Sequence, residues 1–280
     1  MAVQMQGASR ESLADAETRM DSRVDDSSAD ELRTLGDQLF SVLRLLAGEP
    51  TLRRHLADSS VPGESRSGLV DQLLGSKLDR PALDALSELV SARWSRSADL
   101  LSAVELLARR AIFGVAEKDG SLENVEDELF RFGRILDREA ELSRLLSDHT
   151  MAADPRVQLL DRVLGGSGEQ RVSPVTRTLL EQAVRTPRGR RLDTEAEELA
   201  ELAAARRDRY VAHVSTPVAL SSQQEQRLSE SLGRLYGRKL SLQMELDPSL
   251  LGGVVVRIGG EIIDGSLSSR LQAAKRTLPK

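Results

Sequence analysis

Cysteine is absent from this chain, which excludes disulfides and thiolate metal sites and is in keeping with a reducing interior. Aromatic residues are scarce too, with one Trp, two Tyr and four Phe. Leucine, valine, alanine and isoleucine must therefore supply most of the burial, which favours helix packed on helix. No run approaches the roughly 20 apolar residues of a membrane span, so any membrane association has to come through partners. The opening MAVQMQGASRESLADAETRMDSR lacks a basic stretch followed by an apolar core, and no secretory signal is expected. An excess of positive charge is missing as well: the net charge of -5 argues against a general polyanion binder. What is present is length. A chain of 280 residues suits two or three domains, each long enough for a core.

Residues 1 to 30 are polar and acidic. Leu13, Ala16, Met20 and Val24 line one weak helical face that Asp25-Asp26-Ser27-Ser28 breaks, so either a disordered segment or a peripheral helix fits. From Asp30 the pattern strengthens, with Leu32, Leu35, Leu39, Val42, Leu43 and Leu46 at helical spacing. Further helices are expected over residues 51 to 57, 65 to 74, 81 to 94 and, a long one, 98 to 117. Gly48, Pro62-Gly63, Gly75 and Gly120 punctuate them. A shift of ninety residues then superimposes the chain on itself. Leu39/Leu129, Phe40/Phe130, Leu46/Leu136, Glu49/Glu139, Leu52/Leu142, Leu56/Leu146 and Asp58/Asp148 coincide, as do Arg66/Arg156, Leu69/Leu159, Asp71/Asp161, Leu74/Leu164 and Gly75/Gly165. The matches include Gly, Arg, Asp and Phe, which leucine-rich composition alone would not align, so the chain is read as a duplication. Two similar helical bundles are expected in series, joined by the helix over residues 98 to 117.

The second bundle is expected to run to about Arg207, its last helix carrying Leu192, Leu199 and Leu202. The period then changes from helix to strand. Tyr210, Ala212, Val214 and Thr216 alternate with Val211, His213 and Ser215, and Pro217 closes the stretch, an edge-strand signal. Ser222-x-x-Glu225 reads as a capping box for a helix turning Leu228, Leu232 and Leu235 inward and closed by Gly237. Leu240, Leu242, Met244 and Leu246 alternate with polar residues, as in a strand buried on one face. Asp247-Pro248-Ser249 is a turn, Gly252-Gly253 leads into a strand over residues 254 to 258, and Gly259-Gly260 reverses the chain into Glu261-Ile262-Ile263. Asp264-Gly265-Ser266 opens a last helix with Asp264 as N-cap and Leu267, Leu271 and Ala274 on one face.

None of the motifs that carry chemistry is complete. Gly165-Gly166-Ser167-Gly168 lacks the P-loop lysine and a preceding strand, and reads as a loop ending a helix. Gly252, Gly253, Gly259 and Gly260 read as backbone positions needing positive φ or close approach. His55, His149 and His213 show no paired helical spacing for a metal. Glu195, Glu197, Glu198 and Glu201 read as a solvated helix face. Arg185, Arg188, Arg190 and Arg191 form the one basic cluster; without interleaved aromatics it suits a helix terminus or an acidic protein surface better than nucleic acid. Trp94 is read as buried in the first bundle rather than as an interface anchor. No catalytic residue, cofactor site or metal site is assigned. The residues alone describe a helical interaction protein with a small α/β tail.

The stretch LxLxxELDPSLLGGVVVRIGGEIIDGSLSSRLQ closely resembles the C-terminal signature of F-type ATP synthase delta subunits, the oligomycin-sensitivity-conferring protein family. Leu240, Leu242, Leu246, Asp247, Leu250, Gly252, Gly253, Val256, Arg257, Gly259, Asp264, Gly265, Ser266 and Leu271 fall where that pattern puts such residues, in structural roles. The resemblance implies a mainly α fold: a polar segment over residues 1–30, an extra helical bundle over 31–104, the family's common bundle over 105–207 and a C-terminal α/β domain over 208–280. The duplicated form is similar to that of actinobacterial members. It also implies a non-catalytic, cofactor-free stator subunit at the cytoplasmic face of a bacterial plasma membrane. Its implied partners are the N-terminal helices of α subunits, with β as a further candidate, and the C-terminal ends of a separate b subunit. Nucleic acid is not among them, and the membrane is reached only through the complex. A helical regulatory or scaffold protein unrelated to the synthase is the alternative.

Overall fold

The computed structural model describes residue 5 and residues 7–165, 172–208, 211–236, 240–258 and 261–267, in two compact units, Met1–Ala203 and Ala204–Lys280. Several expected features lie outside the described residues: Gly166 to Gly168, Tyr210, Gly237, the Gly259-Gly260 turn, and the last helix beyond Leu267 with Leu271 and Ala274. Among the described residues no helix is long and apolar enough to cross a membrane.

The first unit opens with α1 (Gly7–Asp26), which buries Ser9, Ala16, Met20 and Val24 and so takes the peripheral-helix form. Ser28 caps α2 (Ala29–Gly48) by a capping box with Glu31, so the polar run that ends one helix starts the next. Then follow α3 (Pro50–Ala57), α4 (Gly63–Leu74), α5 (Arg80–Ser91), α6 (Ser97–Asp119), α7 (Leu122–Arg138), α8 (Ala140–Ser147), α9 (Ala153–Leu164), α10 (Pro174–Arg185) and α11 (Leu192–Asp208). The pairs α3/α8 and α4/α9 have bounds ninety residues apart at both ends, so the repeat is one of structure as well as sequence. Trp94 lies just past α5, 4% exposed, and donates Nε1–H to the Leu89 carbonyl at 2.7 Å.

α6 is the axis of this unit. Between Asp99 and Ala116 only Ser102, Leu106 and Arg110 escape burial; they recur every fourth residue and form one stripe, so the helix is enclosed on every other side. First-copy helices α1, α2, α3 and α5 pack on it, and so do α7 and α10 of the second copy. One hydrophobic cluster runs from Ala16 to Ala203 without interruption. The joining helix is thus a member of both bundles. Each copy also has an internal tie between its equivalents of α2 and α5. Gln38 bonds Asp79 through both ends of its amide, at 2.7 and 2.9 Å. At the matching place Glu128 accepts from the backbone N–H of Ser173, the N-cap of α10, at 3.0 Å, where a carboxylate also meets the helix dipole. Buried Arg66 and Arg156 each donate to the end of the preceding short helix, at the carbonyls of Leu56 (3.2 Å) and Leu146 (3.3 Å).

In the second unit β1 (Val211–Thr216), α12 (Ser222–Tyr236) and β2 (Ser241–Leu246) make a parallel βαβ unit, and β3 (Val255–Ile258) and β4 (Glu261–Asp264) form an antiparallel hairpin. The strand order is β2-β1-β3-β4, with Val214 opposite both Met244 and Val256. The core is Ala212, Val214, Leu232, Leu240, Val256 and Ile258. Four expectations are corrected. β1 is an interior strand, not an edge; Pro217 stands just beyond it, where no ladder hydrogen bond is lost. The capping box is Ser221 with Gln224, one residue before the expected pair: the Gln224 amide oxygen accepts from Ser221 N–H at 2.9 Å, and Ser221 Oγ accepts from Gln224 N–H at 3.4 Å. Leu235 and Leu246 are exposed, at 68% and 61%: the stripe of α12 that meets the core is Leu228, Leu232 and Tyr236, which leaves Leu235 to one side, and Leu246 is the last residue of β2.

Candidate docking surfaces

The elements above build three surfaces that could serve as docking sites. The first borders Ser102 and Leu106 of the half-buried stripe of α6. Met5, Leu13 of α1, Leu106 of α6 and Leu202 of α11 line a groove of about 390 Å³, with Glu198 and Glu201 at its rim. Beneath it lies the basic cluster singled out in the sequence, and its partners are the chain's own acids. Arg109 and Glu105 pair at 2.6 Å one turn apart on α6. Arg188 and Arg190 also bond Glu105, Arg109 and Arg190 reach Glu195, and Arg190 reaches Glu198 at 3.7 Å. Arg188 additionally donates Nη2–H to Ser102 Oγ at 2.9 Å. Arg185 pairs with Glu181 and Asp154, and Arg191 with Asp193.

Glu195 is therefore not on a solvated face, as its acidic neighbours suggested; it is 3% exposed and ion-paired. Burial alone would push the Glu105 carboxyl up, but the guanidiniums of Arg109, Arg190 and Arg188 outweigh it and hold it below its usual value. Arg109 is shifted down by burial, with Glu105 opposing. The network also holds strained backbone: Arg188 has φ 51 and Gly189 φ 76, and only the former carries a penalty, of order 1 kcal/mol or more. The sequence contained one sign of this arrangement, the charged Glu105 and Arg109 set among the apolar residues of the middle of α6.

The second surface is a larger and polar cleft of about 600 Å³ between α1 and α5, lined by Ser12, Asp15, Arg19, Asp84, Ser87 and Glu88 among others. It lies in the first copy alone.

The third belongs to the second unit, where the predicted signature residues gather. Leu240 and Val256 are core residues, Leu242 packs against that core, and Leu250 is half-buried. Asp247 Oδ1 accepts from Ser249 N–H and Oγ–H at 2.9 and 2.6 Å, which lowers its pKa. Gly252 and Gly253 have φ 148 and 84. A Cβ on Gly253 would stand 2.4 Å from the Gly265 carbonyl oxygen, so the two glycines let this loop lie against the Asp264-Gly265-Ser266 turn. Backbone bonds close that contact, from Gly265 N–H to Val254 O and from Leu267 N–H to Gly252 O, both 2.9 Å. Asp264 ends β4, and its Oδ1 accepts from Ser266 N–H at 2.9 Å; the helix it was expected to cap lies outside the described residues. Arg257 is exposed, and Gly259 lies outside the described residues. Around this frame Leu246, Leu251, Ile262, Ile263 and Leu267 are exposed apolar side chains, with Ile262 and Ile263 on the edge strand β4. Among the described residues no group of His, Cys, Asp and Glu could hold a metal ion.

Comparison with known proteins identifies the family. Residues 108–278 match the family model described as ATP synthase delta (OSCP) subunit; that match begins within α6. The chain is 46% identical over 275 residues to "ATP synthase subunit b-delta" of Mycobacterium sp. (strain KMS), covering 98% of this chain and 61% of that one. It is 44% identical over 274 residues to "ATP synthase subunit delta" of Streptomyces griseus, covering 98% and 99%. With the protein of the same name from Parafrankia sp. it shares 43% over 283 residues, covering 99% and 100%. The chain thus spans 61% of the length of the two Mycobacterium b-delta relatives it matches and nearly all of the delta relatives. A chain of the Toxoplasma gondii mitochondrial ATP synthase hexamer aligns with 61% of this chain and 96% of its own length, at 18% identity and a TM-score of 0.33, too loosely to compare folds. With its matched span running through the second helical copy and the α/β unit, the chain belongs to the ATP synthase delta (OSCP) subunit family.

Proposed function

We propose that this chain is a non-catalytic stator subunit of an F-type ATP synthase, joining the peripheral stalk to the α/β catalytic head so that proton-driven rotation produces ATP. The family match over residues 108–278 carries this reading. Near-full-length similarity to proteins named ATP synthase subunit delta supports it. The physical logic is that torque reaching the head makes ATP only if the head is kept from turning with the rotor. Such a subunit makes and breaks no covalent bonds; it has to grip two neighbours at once. Helical surfaces in the first unit suit helix-in-groove contacts, in which apolar anchors at i, i+3, i+4 and i+7 seat a partner helix. N-terminal helices of α subunits are the proposed occupants there. The exposed apolar residues of the second unit suit the C-terminal ends of b subunits. Two grips on different partners reinforce each other through effective concentration. The proposed location is the cytoplasmic face of the plasma membrane, reached through the complex.

The test is a synthase reconstituted with and without the chain under a proton gradient. Without it, ATP synthesis is expected to fall away while the head still hydrolyses ATP. Full-rate synthesis in its absence would overturn the proposal, as would failure of the chain to bind both a peptide of the α-subunit N-terminus and the soluble end of b.

A further inference from the structure

A cleft of about 390 Å³ opens at the seam of the two helical copies. Arg53 of α3 lines it from the first copy, and Arg185, Thr186 and Arg188 line it from the end of α10 onward, with Leu101 of α6 as an apolar wall. Two of these guanidiniums are already balanced. Arg185 pairs with Glu181 and Asp154 at 2.8 and 2.9 Å, and Arg188 pairs with Glu105. Arg53 has no carboxylate partner among the described residues; it donates Nη1–H to the Leu46 carbonyl at 3.1 Å and so caps the end of α2. Its Nε is buried and without a hydrogen-bond partner. Thr186 is 8% exposed, and its hydroxyl is likewise buried and unpaired. Arg44 stands one turn before Ala47, another lining residue. Burial holds its pKa down, the like charge of Arg185 adds to this, and Glu181 and Asp37 oppose it. Buried polar groups without a partner are destabilising, and native folds keep few of them without a use. Nor does the repeat account for Arg53: ninety residues on stands Ser143, whose hydroxyl bonds Asp193 at 3.2 Å.

We propose that this cleft binds a phosphate group, free or carried by a small organic molecule. Arg53 and Thr186 supply the donors: the guanidinium fork matches phosphate oxygens, and the hydroxyl turns its proton to suit. Leu101 suits an apolar group on an ester. A ligand held there joins α3 of the first copy to the end of α10 in the second. The site is a property of the chain itself and does not rest on the stator reading.

Titration calorimetry of the full chain at low salt tests this, with inorganic phosphate in one arm and phenyl phosphate in the other. Saturable binding of at least one ligand is expected, with a Kd of about 1 mM or tighter; the tighter arm tells whether the group arrives free or esterified. Arg53→Gln is expected to weaken binding at least about tenfold, and Arg54→Gln, at its exposed neighbour, to leave it unchanged. Because Arg53 also caps α2, Thr186→Val is the variant that spares the fold. Without ligand it is expected to melt no lower than the parent, since it discards an unpaired buried hydroxyl, and to bind at least about threefold more weakly. No saturation by either ligand at about 20 mM overturns the proposal, and so does unchanged binding by Thr186→Val. Equal weakening by Arg54→Gln overturns it too, as the mark of diffuse basic charge. A lowered melting temperature of ligand-free Thr186→Val would do the same, because the hydroxyl would then already have a partner.

Discussion

At the scale of single residues, strain and charge decide more than hydrophobicity. Gly253 combines a positive φ with a backbone oxygen 2.4 Å from where a Cβ would be. Gly253→Ala is expected to cost the second unit about 2 kcal/mol or more, read as faster amide exchange across β1, β3 and β4 with the first unit unchanged. Glu105 answers differently. Its folded pKa lies below the ordinary 4.5, so its ion pairs stabilise fully above that value and the contribution is lost as pH falls through the lower folded value. Glu105→Gln should therefore be less stable at neutral pH and show a flatter acid limb in unfolding measured from pH 7 to 3. Complete removal, Glu105→Ala, leaves three guanidiniums short of a carboxylate and is expected to cost about 3 to 5 kcal/mol. The sequence marked Gly253 as special because paired glycines have few other uses. It could not mark Glu195 as buried, since a helical period places a residue on a face but not against a partner that arrives from another helix.

At the scale of elements, helices were legible and their neighbours were not. Apolar spacing located α2 and α6, and the change of period located β1, β2 and the hairpin, because burial on one face leaves that trace in any sequence. The capping box was displaced by one residue because Ser221 and Ser222 are chemically equivalent; only the backbone geometry distinguishes them. β1 was read as an edge from Pro217, whereas sheet order depends on long-range pairing that no local signal carries. α6 yields the sharpest expectation here. Leu107 is 1% exposed in a helix that both copies touch, so Leu107→Ala should cost about 2 to 5 kcal/mol. Hydrogen exchange should accelerate in α2 and α7 alike, and urea unfolding of the helical unit should remain a single transition.

On the scale of the whole molecule, the internal repeat and the C-terminal signature made the family legible, while the joint use of α6 was not. A repeat says that two copies exist; it does not say whether they share a wall. That distinction has a measurable consequence. A chain cut to the span of the family model, residues 108–278, loses α1 to α5 and the first turns of α6. The side of α6 that packs on α1, α2 and α3 would then face water. Such a fragment is expected to bind a hydrophobic dye strongly and to self-associate in gel filtration, unlike the full chain.

A helix common to both halves leaves the lengthened arm without an elbow. Doubling a module usually introduces a place to flex, and a flexible tether stores part of each stroke as bending. Here the added helices are splinted along a rod of about 34 Å, so under the proposed stator role a push delivered to either half would be felt by the other before anything had room to give.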